Sequence, residues 1–143
     1  MRVKVIAIES PSDMQRAHAI RRRVFIEEQH VPEEIEMDAE DANAFHALAI
    51  LNGVAIGCGR MVDHGASEVK IGRMAVLQEF RNTGVGATIL RFLIDRARDR
   101  GIRKAILHAQ LTAEGFYLNQ GFEPVGDVFE EAGIAHRKME RVI

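Results

Sequence analysis

Cysteine, tryptophan and long apolar runs are scarce or absent in this sequence. There is one cysteine, Cys58, and no tryptophan among the 143 residues. A single cysteine excludes an internal disulfide and fits a reducing compartment, and the neighbours of Cys58 predict a buried strand residue. No apolar run approaches membrane length, and the opening residues lack the apolar core of a signal peptide. We therefore predict a cytoplasmic protein with no membrane partner.

An excess of charge of either sign is also missing. The chain carries 19 lysines and arginines against 21 acidic residues, for a formal net charge of −2. This balance provides no general attraction to nucleic acid, so no nucleic-acid partner is expected. The six histidines show no spacing typical of metal ligands, and no metal site is predicted. A length of 143 residues fits one domain, residues 1–143, that can bury a sizeable core.

Hydrophobic periodicity predicts the order of the elements. Residues 2–8 alternate as a strand, and Ser10 opens a helix whose apolar residues continue to Phe25. Three strands of an antiparallel meander follow, over residues 45–51, 54–62 and 68–77. A helix from about Val85 to Gly101 and a buried strand at residues 104–109 then complete a right-handed crossover. A short helix and a final pair of strands end the chain.

A glycine-rich turn, residues 81–86, lies between the last strand of the meander and the crossover helix. Its glycines let backbone N–H groups converge at the start of a helix, where they bind anions such as phosphate. A nucleotide P-loop would need lysine after the last glycine, but Ala87 and Thr88 follow Gly86. A dinucleotide loop would need a small residue where Ile89 stands. The sequence therefore disfavours both a nucleotide P-loop and a dinucleotide-binding loop.

Three linked segments carry a resemblance to a known family. Arg81, Gly84 and Gly86 match the pyrophosphate loop of the GCN5-related N-acetyltransferases (GNAT), and the flanking segments match at the family's order and distance. Further matching stretches look like a bacterial ElaA-type branch, so that the resemblance spans nearly the whole chain. It implies an α/β fold with a mixed sheet: an antiparallel N-terminal meander, a βαβ crossover and a C-terminal strand pair, with helices on both faces. The flanking segments are residues 71–76 and 116–122, and the branch-like stretches are residues 23–29, 109–110 and 132–136.

The resemblance also implies a cosubstrate and roles for named residues. Acetyl-CoA would bind with its pyrophosphate on the turn, and the main chain of the preceding strand would run beside the pantetheine arm. Tyr117 would act as general acid toward the departing thiolate, and Asn119 could contact the pantetheine side of the same helix. The residues expected to bind the cosubstrate are Met74, Ala75, Val76, Arg81, Asn82, Thr83, Gly84, Val85, Gly86, Ala87 and Asn119.

The general base is not specified by the resemblance. Many relatives carry a glutamate in the strand before the loop, but this chain has Gly72 at that position. Glu28 and His136 are the leading candidates because they lie in the branch-like segments. The remaining candidates are Glu68, His46 and His108.

The predicted activity is transfer of acetyl from acetyl-CoA to a primary amine of a small molecule or peptide, by direct attack in a ternary complex. Two alternatives remain open: a noncatalytic acetyl-CoA sensor, which the missing glutamate favours, and an acyl-homoserine-lactone-synthase-like acyltransferase. Residues 24–59 contain no lysine or arginine but many acids, which suggests a local negative field that steers a cationic amine. The acids are Glu27, Glu28, Glu33, Glu34, Glu36, Asp38, Glu40 and Asp41.

Overall fold

The computed structural model describes residues 2–143, which form an α/β structure. The strands are β1 (Lys4–Ala7), β2 (Phe45–Leu51), β3 (Val54–Asp63), β4 (Glu68–Val76), β5 (Lys104–Gln110), β6 (Glu123–Glu131) and β7 (Ile134–Val142). The α-helices are α1 (Pro11–Arg21), α2 (Glu33–Glu36), α3 (Val85–Asp99) and α4 (Glu114–Asn119). A π-helix covers Arg22–Glu28, and short 3₁₀ turns cover Ala39–Asn43, Gln78–Phe80 and Leu111–Ala113. None of the helices within the described range is long and apolar enough to cross a bilayer.

The strands form one seven-stranded sheet in the order β1-β2-β3-β4-β5-β7-β6. Every neighbouring pair is antiparallel except β4 and β5, which are parallel and connected through α3. The predicted meander, crossover and C-terminal strand pair are therefore confirmed.

Helices pack on both faces of the sheet, as predicted. Because side chains alternate along a strand, Leu48 faces α1, whereas Ala47 and Ala49 belong to the core beneath α3. The α3 core includes Ile89, Leu90 and Leu93. Gly59 lets α3 approach the sheet closely, since a Cβ there would lie 2.6 Å from the Met74 sulfur and 3.0 Å from Ile89. Cys58 is buried on the α1 face, which confirms the prediction of a core strand residue.

The first helix differs from the prediction. Its start is as expected, because the Asp13 N–H donates to Ser10 Oγ at 3.1 Å. The α-helix ends at Arg21, however, and continues as the π-helix to Glu28. Val24 there packs in the α1 core, while Phe25 lines the cleft described below. Hydrophobic spacing did not reveal this change, because the π-helix spans only seven residues, fewer than two turns.

Candidate functional site

A cleft of about 580 Å³ opens where β4 and β5 separate. The two strands pair only from Glu68 to Ile71 on β4, although β4 continues to Val76 and β5 to Gln110. A bulge accounts for the separation: Arg73 and Met74 together oppose Gly59 of β3, and Arg73 adopts φ 51°. Because a bulge bends its strand, the second half of β4 diverges from β5. The β4 edge at residues 72–76 and the β5 residues 107–110 therefore form opposite walls of the cleft.

The glycine turn lies at the carboxyl end of β4. Gly84 adopts φ 89° as the N-terminal cap of α3, and Asn82 adopts φ 62°. Thr88 N–H is the first to donate within the helix, to Gly84 O at 3.1 Å. The N–H groups of residues 84–87 therefore have no intrahelical acceptor, which is the arrangement that binds anions. Gly86 also lies near Phe116, so the start of α3 contacts α4 beside Tyr117.

Arg81 connects the glycine turn to the π-helix. Its Nε donates to the Val76 carbonyl at 2.9 Å, and its Nη2 donates to both carboxylate oxygens of Glu28, at 2.9 and 3.1 Å. Glu28 is thus the ion-pair partner of the loop arginine. This pairing leaves the carboxylate less available as a base than the sequence suggested.

Tyr117 lines the cleft from α4 and is 8% exposed. Its ring makes edge-on contacts with Phe116 and Phe122, with centroid distances of 4.9 and 5.8 Å. Burial raises the pKa of Tyr117 from its ordinary value of 10 to about 12, so the phenol is protonated at neutral pH and well above it. Asn119 lies elsewhere: it borders a separate depression with Arg91, Arg98 and Arg141.

Two histidines and one glutamate meet in the cleft wall formed by β5 and the β6–β7 hairpin. His108 Nδ1 lies 3.0 Å from Glu131 Oε1, and His136 Nε2 lies 3.8 Å from Glu131 Oε2. His136 is 6% exposed, and its Nδ1 donates to the Ile134 carbonyl at 2.7 Å. Burial by itself would raise the pKa of Glu131, but the hydrogen bond from His108 and the nearby positive charges lower it. Sequence reasoning did not identify Glu131.

Arginines pair with most carboxylates of the acidic segment, which weakens the predicted negative field. Steering of a cationic amine stays a prediction. Glu36 is 2% exposed and pairs with Arg21 Nε and, at 2.8 Å, with Arg73 Nε. Asp38 and Asp41 each lie 2.8 Å from Arg60 Nη1, and Asp41 also pairs with Arg21. The three arginines come from α1, β3 and β4, outside the acidic segment. The prediction from sequence considered only the charges of neighbouring residues, so it did not include these three arginines.

Metal and thiol chemistry find little support in the part of the chain that the structure describes. Within residues 2–143, no group of three or more His, Cys, Asp and Glu side chains is placed to hold a metal ion. Burial raises the pKa of the Cys58 thiol to about 12, which keeps it protonated and unreactive.

Comparison with known proteins identifies the family. The sequence model of the Acetyltransferase (GNAT) domain matches residues 9–143. The chain belongs to the GNAT acetyltransferase family. This acetyltransferase is 36% identical to Bacillus subtilis YyaT over 100% of its own length and 97% of the relative's. It is 32% identical to the B. subtilis N-acetyltransferase YjcF, covering 96% of this chain and 98% of YjcF.

Solved structures agree with this assignment. The crystal structure of Escherichia coli ElaA superposes with a TM-score of 0.87 at 25% identity, covering 98% of this acetyltransferase and 99% of ElaA. The predicted resemblance to GNAT enzymes, ElaA among them, is therefore confirmed. The same fold occurs in Neisseria gonorrhoeae N-acetylglutamate synthase, solved with coenzyme A and N-acetyl-glutamate: TM-score 0.78, 21% identity, 99% of this chain and 35% of the synthase. The protein is accordingly an N-acetyltransferase of the GNAT family.

Proposed function

We propose that this enzyme transfers the acetyl group of acetyl-CoA to a primary amine by direct attack within a ternary complex. The observation that carries the proposal is the continuity of the cleft, which runs from Arg81, the first residue of the glycine turn, along the free edge of β4 to Tyr117. One ligand that extends past Arg81 would contact the helix-terminal N–H groups at one end and the buried phenol at the other. A second ligand can enter between β5, the π-helix and the β6–β7 hairpin.

Acetyl-CoA binding is assigned to two sets of backbone groups. The free N–H groups at the start of α3 would hold the pyrophosphate, with Arg81 beside the loop. The main chain of Met74, Ala75 and Val76, on the edge that β5 does not pair, would bind the pantetheine arm as a sheet edge binds an added strand. Asn119 borders the other depression, so the proposal gives it no contact with the coenzyme.

The chemical step requires the amine nitrogen to attack the thioester carbonyl carbon while the carbon–sulfur bond breaks. Holding both reactants in one cleft replaces an encounter in solution with an oriented attack. Tyr117, which is protonated at neutral pH, would donate its proton toward the departing sulfur. The amine must lose a proton in the same reaction, and the acceptor of that proton is considered below.

The experiment is to incubate the enzyme with acetyl-CoA and a panel of primary amines, with free thiol and acetylated product as readouts. The panel contains arylalkylamines, polyamines, aminoglycosides, free amino acids and peptides with free amino termini. We expect thiol release that depends on the amine, with one acetylated product per thiol. Tight acetyl-CoA binding in calorimetry without turnover of any amine would instead support the sensor. Lactone formation from an acyl carrier donor would support the synthase-like alternative.

A further inference from the structure

The pair formed by His108 and Glu131 has a geometry that gives one imidazole nitrogen a defined role. An ionised carboxylate can only accept hydrogen bonds, so at 3.0 Å the Nδ1 of His108 must carry the hydrogen. In the neutral ring this leaves Nε2 as an acceptor. The carboxylate of Glu131 therefore selects the tautomer in which Nε2 can take a proton.

The two ring nitrogens of His136 face groups of the protein itself. Its Nδ1 hydrogen is engaged by the Ile134 carbonyl, and its Nε2 is turned toward Glu131, 3.8 Å away. Both nitrogens are thus directed into the protein, and the ring stacks on Phe129 with a centroid distance of 5.9 Å. Both histidines line the cleft, but the side chain of His108 is 26% exposed, whereas that of His136 is 8% exposed. Of the two rings, His108 is therefore the more accessible to a ligand in the cleft.

We propose that His108 is the general base of the acetyl transfer and that Glu131 is its positioning residue. This inference rests on the proposed function. As the amine attacks, a carbon–nitrogen bond forms, the carbon–sulfur bond breaks, and the amine proton moves to His108 Nε2. The sulfur receives the Tyr117 proton. The products are the amide and free coenzyme A, and solvent afterwards takes the proton from the imidazolium and returns one to the tyrosine.

Charges on every neighbouring strand bear on this base. Lys138 of β7 is directly opposite His108 in the sheet register, and Lys70 of β4 lines the same cleft, so both oppose an imidazolium. Glu131 favours the imidazolium, while His136 competes for the same carboxylate. Arg60 and Arg73 also line the cleft but are paired with acids. Glu131 is thus the negative group that contacts the His108 ring.

The test uses His108→Gln and Glu131→Gln with the panel amine that gives the highest kcat/KM. We expect His108→Gln to lower kcat by about a hundredfold, the usual contribution of a general base, with acetyl-CoA affinity unchanged within about threefold. Glu131→Gln should lower kcat by roughly tenfold, as loss of an orienting carboxylate does in other sites.

The chain offers a matched control in His64. Its Nδ1 lies 3.3 Å from the Glu68 carboxylate, as in the proposed pair, but His64 is exposed on the β3–β4 turn and does not line the cleft. His64→Gln should therefore leave kcat unchanged. A larger loss of kcat in His136→Gln than in His108→Gln would overturn the assignment in favour of His136.

Ring nitrogen NMR of the ¹⁵N-labelled enzyme provides a readout that does not depend on the amine. We expect protonated Nδ1 and unprotonated Nε2 in neutral His108, and a mixture of tautomers after Glu131→Gln. The opposite tautomer in the parent enzyme would refute the proposal. If the parent turns over amines but His108→Gln does so equally well under chemistry-limited conditions, the base assignment has failed. If the parent turns over none of the panel, the proposed function itself has failed.

Discussion

Tyr117 combines a buried ring with a place in the cleft wall. Aromatic contacts with Phe116 and Phe122 fix the ring, and burial keeps the hydroxyl protonated far above neutral pH. Such a phenol can stabilise the developing thiolate by donating to it. The role as general acid stays a prediction.

Tyr117→Phe tests that role, because it keeps the ring and deletes only the hydroxyl. We expect turnover to fall by about a hundredfold or more while coenzyme A affinity persists, since proton transfer contributes to chemistry and not to binding. Single-turnover kinetics and calorimetry measure the two quantities. Unchanged chemistry in this variant would reduce Tyr117 to a packing residue.

Glu36 is a structural residue and not a steering charge. Its carboxylate is buried between Arg21, which is 1% exposed, and Arg73. Removing one partner of a buried ion pair leaves an uncompensated charge in a medium of low polarity. Glu36→Gln should therefore lower the free energy of unfolding by about 3 kcal/mol or more.

Glu34 provides the matched control for this stability prediction. It lies two residues away in the same helix α2, but its side chain is exposed. Glu34→Gln should change the free energy of unfolding by less than about 0.5 kcal/mol. Urea denaturation compares the two variants, and an equal effect of both would show that Glu36 is not held in a buried pair.

At the scale of elements, the glycine turn depends on backbone angles that few residues adopt. Proline at position 84 could not reach φ 89°, so Gly84→Pro would disturb the start of α3 as well as remove a donor. Substitutions of Asn82 test the turn more clearly than Gly84→Pro does, because asparagine, aspartate and glycine all tolerate the φ of 62° at this position. Variants at position 82 can therefore change the charge of the turn without changing its conformation.

Asn82→Asp should weaken coenzyme A binding by about tenfold, because it adds a negative charge to the turn proposed to hold the pyrophosphate. The helix itself should not suffer, since an acid at a helix N-terminus stabilises it. Asn82→Gly, the neutral control, should bind within about threefold of the parent. Calorimetry with coenzyme A decides: equal affinity of the Asp variant and the parent would place the pyrophosphate elsewhere.

At the scale of the whole molecule, the arginine and acid network ties α1, the acidic segment, β3 and β4 together. Burial alone would raise the pKa of Asp41, but hydrogen bonds and charges from Arg21 and Arg60 outweigh it and lower the pKa to about 2. Because the folded value lies below the ordinary value of 3.8, Asp41 stabilises the fold above about pH 4. That contribution is lost as the pH falls toward 2.

The expected loss is about 2 kcal/mol, the free energy of a shift of nearly two pKa units. Urea denaturation across this window should therefore show a steeper loss of stability in the parent than in Asp41→Asn. Asp95→Asn, an exposed acid on α3, is the control and should retain the parent's pH dependence. Identical pH dependence in the parent and the Asp41 variant would contradict the assignment.

Local patterns in the sequence determined the elements, their order, the mixed sheet and the position of the glycine turn. Hydrophobic periodicity, turn residues and linked motifs act over neighbouring residues, so they can be read without a structure. The separation of β4 from β5 could not be read in this way. It depends on a bulge in which Arg73 takes a left-handed conformation against β3, and no local pattern marks that position.

Only the tertiary structure decided which charged groups meet. Glu131 reaches His108 across 23 positions because the β6–β7 hairpin folds back beside β5, and Arg73 reaches Glu36 across 37 positions. The sequence therefore indicated an acidic segment with a free field, whereas packing supplied arginines from three other elements. Ionic partners are chosen by distance in space, and sheet register and helix packing set that distance.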